Sequence, residues 1–267
     1  MVQMIGPYGL GVALYAFLNR VDMDSPYYIV GKYILTHMDE LQDVSIKELA
    51  KKTNVSIASI SRFVKEIGLD NYGELRTLIN NRQKATEPRY EYQPAVKTDN
   101  IVESYFSAVK NDIDQLTDKI NMDGLNQLVD DLYEYQDVAT FGAMHMETVS
   151  LMLQNNLFRC KKIIETRLDP GKQIDFVENQ QNELLIIIFS LSGNYVREYL
   201  ANISDKKKLK IYVVTKNKAV KDLKYVHETI LLPNDADSFS AHPLDSLLLV
   251  NLITLMYYEK YVKNRLD

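Results

Sequence analysis

The chain has 267 residues, of which 46% are hydrophobic and 25% are charged, and its net charge at pH 7 is −5. This length allows two domains of ordinary size, each with its own apolar core. The acidic balance argues against a generally basic nucleic-acid coat protein but permits a local basic surface. The one cysteine, Cys160, cannot form an intramolecular disulfide, and no Cys and His residues have the spacing of metal ligands. We therefore expect a cytoplasmic protein without a metal or a cofactor.

The first 19 residues contain no charged side chain. Glycine and proline interrupt this apolar run, which is also shorter than the roughly 20 apolar residues of a membrane span. It lacks the basic start of a secretory signal. We predict no membrane association and treat residues 1–24 as an amino-terminal extension. In it, Val12 to Leu18 could form a short helix that packs on a partner subunit or on the first domain; a frayed tail is the alternative.

Two segments have the apolar spacing of supporting helices. Tyr27 to Met38 places its apolar residues on one face, and Tyr72 to Asn81 does the same with Leu75 and Leu78. The chain between them holds the most informative motif of the sequence.

That motif, from Val44 to Leu69, has the spacing of a helix-turn-helix. Ser45 with Glu48 three residues later forms a capping box, which predicts a helix from Ile46 to about Thr53. Asn54 tolerates the left-handed backbone that the turn requires. Ser56 can cap a second helix. Its apolar residues recur at the spacing of a buried stripe, namely Ile60, Phe63, Val64 and Ile67.

The outward face of the second helix suits the major groove of DNA. Small residues near its start allow close approach to base edges, and Arg62 can reach a guanine. Lysines on both helices can neutralise phosphate charge, since Lys47 to Lys65 contains five basic residues and one acidic residue. An ordinary solvated polar face is the alternative. The DNA-binding candidates are Lys47, Ser56, Ala58, Ser59, Ser61, Arg62 and Lys65.

The motif VSIASISRF, continued by KEIGLDNYGELR, resembles the RpiR-type bacterial regulators. That family joins an amino-terminal helix-turn-helix to a sugar isomerase (SIS) domain, and Ser59 stands where it commonly has Thr. The resemblance implies a helix-turn-helix domain over residues 25–86 and a phosphosugar-binding-like SIS domain over residues 100–267. Between them, residues 87–99 contain two prolines and no helical or strand period, which predicts a linker.

The second domain has the pattern of an α/β fold. A long helical stripe from Ile101 to Ile120 and a helix from Leu125 to Tyr133 precede short apolar runs that alternate with helical or polar segments. Alternation of this kind indicates helices on both faces of a parallel sheet. The five predicted strands are Val138–Phe141, Lys162–Glu165, Leu184–Phe189, Ile211–Thr215 and Thr229–Leu232.

The whole chain is thus predicted to be mixed: an all-α helix-turn-helix domain, then an α/β SIS domain with a five-stranded parallel sheet flanked by helices. The continuous apolar run Leu184 to Phe189 is the expected central strand. Leu244 to Tyr261 predicts a strongly apolar final helix. A dimer interface and core packing explain this helix equally well.

A possible ligand site follows the expected central strand. Ligands of open parallel sheets bind beyond the carboxyl ends of strands, where the amides at a helix start attract phosphate. SIS domains that bind phosphosugars carry an S-x-S-G-x-T loop here, so the resemblance implies a phosphorylated sugar. The effector-binding candidates are Gly142, Ser190, Ser192, Gly193, Asn194 and Thr215.

Three residues depart from the family pattern around this site. Tyr195 replaces the usual Thr, while Met144 and Met146 follow the first strand where the family has a second glycine and then a serine. Methionines would crowd a phosphate and offer it no strong donor. A different ligand, or a domain that only dimerises, is the alternative. Met144, His145 and Met146 are not expected to bind a metal ion, because adjacent loop positions seldom face one ion.

The predicted function is DNA-binding transcriptional regulation of carbohydrate metabolism genes in response to a phosphorylated sugar. We expect a homodimer or higher homo-oligomer that binds double-stranded DNA at an inverted-repeat operator. A phosphosugar isomerase-like enzyme is the runner-up. Isomerases of this class need a positioned acid and base, usually Glu and His. We assign no catalytic residue, because no clear pair is evident among Glu147, His145, His227 and His242.

Overall fold

A computed structural model describes residues 9–82, 100–143, 145–168, 170–201, 203, 208–233 and 244–263. The chain divides into two compact units, Met1–Arg89 and Tyr90–Asp267. The predicted linker lies outside the described residues, as does Met144. The domain boundaries drawn from the sequence therefore stay predictions.

The described part of the first unit is helical. Its fully buried centre is Phe63, whose ring lies edge-on to Phe17 at 5.6 Å between centroids and 6.5 Å from Tyr27. A Cβ added at Gly31 would lie 2.9 Å from Leu18 Cδ2, so glycine permits the first two helices to approach. The helices are α1 (Gly9–Leu18), α2 (Pro26–His37), α3 (Ile46–Thr53), α4 (Ile57–Glu66) and α5 (Tyr72–Arg82).

The second unit has helices around a parallel sheet, as its alternating pattern predicts. Its helices are α6 (Ile101–Lys119), α7 (Met122–Glu134), α8 (His145–Arg159), α9 (Pro170–Glu178), α10 (Asn194–Ala201) and α11 (Leu244–Tyr261). Its strands are β1 (Asp137–Gly142), β2 (Leu184–Phe189), β3 (Leu209–Thr215) and β4 (Glu228–Leu231).

The sheet has the order β1-β2-β3-β4, and every neighbouring pair is parallel. All six residues of β2 are buried, because β2 is paired on both edges and helices cover both faces. On one face, α7, α8 and α11 contribute to a core cluster with Leu185, Ile187 and Phe189. On the other face, α9 and α10 pack against Leu184, Ile186 and Ile188.

The prediction of a fifth strand at Lys162–Glu165 is wrong, because the described residues hold only one isolated bridge there, between Ala139 and Glu165. A parallel ladder would continue two residues further along, at Arg167. The Arg167 carbonyl instead accepts a 2.6 Å hydrogen bond from the buried Gln173 side chain. At the other end, the Lys162 amide donates to Leu157 O and closes α8. Backbone groups on both sides of the Glu165 bridge therefore bond to partners outside the sheet.

The apolar stripe of α6 faces outward for much of its length. Ile101, Val102, Phe106 and Ile113 are exposed, whereas Ser104 and Leu116 are buried. The periodic pattern predicted the helix, but a sequence does not state which side of a helix meets the core.

The last helix, α11, has the predicted bounds, and its Leu249, Val250, Ile253 and Tyr257 are buried. Leu255 and Tyr258 lie on its exposed side. Among the described residues, no helix combines the length and apolar character needed to cross a membrane.

A buried polar network joins α7 to β3. Tyr212 is fully buried and donates its hydroxyl to Asp131, whose carboxylate also lies 2.7 Å from Lys210 Nζ. Burial, followed by the contact with Asp131, raises the pKa of Tyr212, which therefore stays protonated as the donor. Each of the three side chains has a partner that offsets its loss of water.

We predict that Tyr212→Phe removes this donor and lowers local stability by about 2 kcal/mol, the usual range for a hydrogen bond to a charged group. Hydrogen exchange followed by mass spectrometry should show faster exchange in peptides from α7 and β3. Tyr258→Phe, an exposed tyrosine on α11, is the matched control and should leave exchange unchanged. Equal exchange in the wild type and the Tyr212 variant would contradict a stabilising network.

Candidate functional site

The helix-turn-helix begins with the predicted capping box. The Ser45 side chain accepts from the Glu48 amide at 3.2 Å, and Glu48 Oε2 accepts from the Ser45 amide at 2.8 Å. The hydrogen bonds that the Ser45 amide and then the Ser45 hydroxyl donate to Glu48 Oε2 lower the pKa of the Glu48 carboxyl below its usual value. Glu48 is therefore ionised at neutral pH and fixes the start of α3.

The turn between α3 and α4 has the left-handed residue that the sequence predicts. Asn54 has φ 53° and ψ 37°, and its amide donates to Ala50 O. The following Val55 amide also donates to Ala50 O, at 3.1 Å. From the other side, the Tyr72 hydroxyl donates to Val44 O at 2.9 Å and ties α5 to the segment before α3.

Packing fixes which side of α4 is exposed. Ile60, Phe63 and Val64 are fully buried, and Ile67 completes the stripe. Ser56 caps the helix by accepting from the Ser59 amide at 3.1 Å. The predicted stripe and cap are both confirmed.

Most DNA-binding candidates are exposed, and the spacing of Ala58, Arg62 and Lys65 puts them on one side of α4. Ser59 is half-buried, and its hydroxyl lies 2.9 Å from that of Ser56, so both hydroxyls are engaged at the start of the helix. Arg62 is exposed, and its Nε makes only a long 3.4 Å contact with Ala58 O. The other exposed candidates are Lys47, Ser56, Ala58, Ser61 and Lys65.

Sequence reasoning missed Ile57, the first residue of α4. This branched aliphatic side chain is 43% exposed beside the candidates. Its place before the buried stripe is visible in the sequence, but its exposure is not.

The second candidate site is the loop between β2 and α10 at the carboxyl edge of the sheet. The Ser190 amide donates to Val214 O at 2.9 Å, and the Gly193 amide donates to Ser190 O at 3.1 Å. Gly193 has φ +77°, and a Cβ there would lie 2.5 Å from Val220 Cγ2. Glycine is required here because the backbone is left-handed and because there is no room for a Cβ atom.

The end of β3 holds this loop in place. Thr215 is fully buried, and its hydroxyl donates to Leu191 O at 3.0 Å. The Lys216 amide donates to the same carbonyl, and Asn217 Nδ2 donates to Ser192 O at 2.7 Å. Thr215 therefore fixes the position of the loop through its hydrogen bond to Leu191. Asn217 is a second positioning residue, which the sequence alone did not single out.

Gly142 and Met146 have structural roles here. A Cβ at Gly142 would lie 2.6 Å from Met146 O, so glycine lets α8 start close to β1. Met146 is buried in the core cluster with α11, and the expectation that it crowds a phosphate is wrong. Tyr195 is half-buried and packs on the opposite core cluster.

Two charged features near this loop were also missed. Arg197 is exposed in the first turns of α10, with a guanidinium nitrogen 3.3 Å from Asn194 Oδ1. Lys216 Nζ lies 2.9 Å from Asp245 Oδ2 in an ion pair that is almost fully buried. This pair ties the first turn of α11 to the end of β3, and such a long-range contact leaves no local signal in the sequence.

The residues considered for acid–base chemistry come from two places in the chain: His145 and Glu147 lie in the first turn of α8, and His227 precedes β4. His145 and His227 are exposed, and Glu147 is half-buried on α8. His242 lies outside the described residues. Within the part of the chain that the structure describes, no three His, Cys, Asp or Glu side chains lie together as metal ligands would.

Comparisons with known proteins agree with this geometry. Residues 28–85 match the helix-turn-helix domain of the rpiR family. An uncharacterized HTH-type transcriptional regulator in the aarA 3'region of Providencia stuartii is 23% identical over 195 residues, which cover 70% of this chain and 68% of that protein.

Two solved structures have a similar fold. The Vibrio vulnificus NanR protein complexed with ManNAc-6P aligns with a TM-score of 0.52 and 19% sequence identity. The alignment covers 96% of this chain and 94% of the NanR chain. The sugar isomerase domain of the RpiR transcription factor from Sphaerobacter thermophilus aligns with a TM-score of 0.52 and 15% sequence identity. The alignment covers 61% of this chain and 93% of that domain's chain. The resemblance inferred from the motif is confirmed: this chain carries an rpiR-family helix-turn-helix domain. The α/β unit that follows is similar in fold to the sugar isomerase domain of the Sphaerobacter thermophilus protein.

Proposed function

We propose that this protein is a cytoplasmic transcriptional regulator that binds operator DNA through α4 and senses a phosphorylated sugar in its second unit. The observation that carries the proposal is the exposed side of α4, where Arg62 and Lys65 project from a helix fixed by its cap, turn and buried stripe. In a helix-turn-helix, the second helix enters the major groove and its amino-terminal residues contact base edges.

Two copies of the protein would bind the two halves of an inverted repeat. Half-sites then lie about 34–36 Å apart, or a multiple of one helical turn. Exposed apolar side chains on the second unit, including Phe106 of α6 and Leu255 of α11, support self-association. Because the whole chain has a net charge of −5, its sequence-independent affinity for DNA must come from the local basic residues around α3 and α4.

The effector site is the loop from Ser190 to Asn194. The loop enters α10 directly, so the first amides of that helix and its dipole can attract a phosphate. Arg197 adds a cation beside the loop. Its charge offsets the loss of the threonine hydroxyl donor that the family usually has at the position of Tyr195. The solved NanR protein with a similar fold is complexed with ManNAc-6P, which makes an N-acylated hexosamine 6-phosphate the first ligand to test.

Binding of a sugar phosphate as an effector is favoured over its enzymatic isomerisation. A sugar-phosphate isomerase requires a base and an acid positioned on adjacent carbons of the substrate. His227 is exposed just before β4, at the opposite edge of the sheet from the Ser190–Asn194 loop. His145 starts α8 at the same edge as the loop and is exposed, and an rpiR-family helix-turn-helix domain precedes the second unit. Effector binding would then alter DNA affinity by a coupling of about 1 to 3 kcal/mol.

We predict that Arg62→Ala lowers specific DNA affinity by about 1 to 3 kcal/mol and relaxes the preference at one base position, because a bidentate arginine contact discriminates between bases. Binding to the selected operator and to its single-base variants would be measured by fluorescence anisotropy. Arg159→Ala is the charge-matched control, since Arg159 is an exposed arginine on α8 in the other unit. Unchanged base selectivity in the Arg62 variant would remove its assigned role.

We also predict that Arg197→Ala weakens sugar-phosphate binding about fivefold to tenfold through the loss of a charge-assisted contact. Ser190→Ala combined with Ser192→Ala should abolish binding. Isothermal titration calorimetry with ManNAc-6P and a panel of hexose 6-phosphates would measure both. The unphosphorylated sugars and Arg159→Ala serve as controls. A phosphosugar that binds both loop variants as tightly as the wild type would place the effector site elsewhere.

A further inference from the structure

Ile57 is an exposed aliphatic side chain where a helix-turn-helix meets base edges. It follows the Ser56 cap as the first residue of α4 and is 43% exposed, whereas Ile60, one turn later, is fully buried. The core contacts of α4 are made by the buried stripe. Ile57 is therefore not needed to fill the centre of the first unit.

The two serine hydroxyls at this end of α4 are engaged with each other. The Ser56 hydroxyl accepts from the Ser59 amide, and the two serine hydroxyls lie 2.9 Å apart. No acidic residue occurs in the first turn of the helix, and Arg62 lies more than one turn further on. Besides Ser56, the exposed side chains at the start of α4 are those of Ile57 and Ala58, and both are apolar.

The major groove offers one apolar group on its base edges, the 5-methyl group of thymine. Apolar side chains recognise it by contact, without hydrogen bonds. The amino-terminal residues of the second helix are the ones that reach base edges in this motif. A methyl group packed against Ile57 would be withdrawn from water, which favours thymine over any base without that methyl.

We propose that Ile57 contacts a thymine 5-methyl group and makes each half-site depend on a T·A pair at one position. This inference rests on the proposed DNA-binding function and adds a determinant of specificity that is independent of Arg62. It separates two kinds of recognition along α4, with an apolar contact at the tip and a hydrogen-bonding contact one turn later.

The test uses deoxyuridine, which pairs like thymine and lacks only the methyl group. The operator is first recovered by selecting genomic DNA fragments on the full-length protein. Each thymine of one half-site is then replaced singly by deoxyuridine, and affinity is measured by fluorescence anisotropy. We expect one replacement to weaken wild-type binding about fourfold, the factor for one methyl group withdrawn from water. Ile57→Ala should bind the thymine and deoxyuridine operators equally.

The matched control is Ile29→Ala, because Ile29 on α2 is also an isoleucine with 43% exposure. It should keep the full discrimination against deoxyuridine. Loss of discrimination in both variants, persistence of it in Ile57→Ala, or wild-type indifference to every replacement would overturn the inference while leaving DNA binding intact. Failure to recover any shared sequence would instead overturn the proposed function, and this inference with it.

Discussion

The burial of one stripe on α4 is the constraint on which the DNA-facing surface depends. Phe63, with its edge-on contact to Phe17, locks the rotation of α4 against the helices around it. Since the rotation is fixed, Ile57, Ala58 and Arg62 must point outward. The Asn54 turn fixes where the helix starts, and the Ser56 cap fixes its first turn. The proposed base recognition therefore depends on packing on the opposite side of the same helix.

The second unit applies a related principle at the carboxyl edge of its sheet. The Ser190–Asn194 loop contributes backbone groups and small side chains, while Thr215, Lys216 and Asn217 fix it through hydrogen bonds from the next strand. A loop held in this way loses little conformational entropy when a ligand binds. Of these positioning residues, Thr215 is also an effector-binding candidate, whereas Lys216 and Asn217 are not.

Local signals predicted much of this structure. The capping box and the turn residue predicted the bounds of α3. The unbroken apolar run Leu184–Phe189 predicted β2, and the strongly apolar segment Leu244–Tyr261 predicted α11. The errors concern features that helical and strand periods do not show. The Gln173 amide ends the edge ladder after Glu165, and the apolar side of α6 faces outward. The Lys216–Asp245 pair was invisible because a motif shows spacing along the chain but not neighbours across the fold. Arg197 contacts Asn194 only three residues away, so its place beside the loop could have been read from the sequence.

The most direct measurement is to incubate the full-length protein with fragmented genomic DNA near physiological salt, with and without hexose 6-phosphates, and to sequence what it retains. Sequence-specific regulation predicts enrichment of a shared inverted repeat, with half-sites spaced by whole helical turns and retention altered by a phosphosugar. Retention without a shared sequence, or no retention under either condition, would contradict a regulator and would make the sugar-phosphate isomerase assay the next experiment.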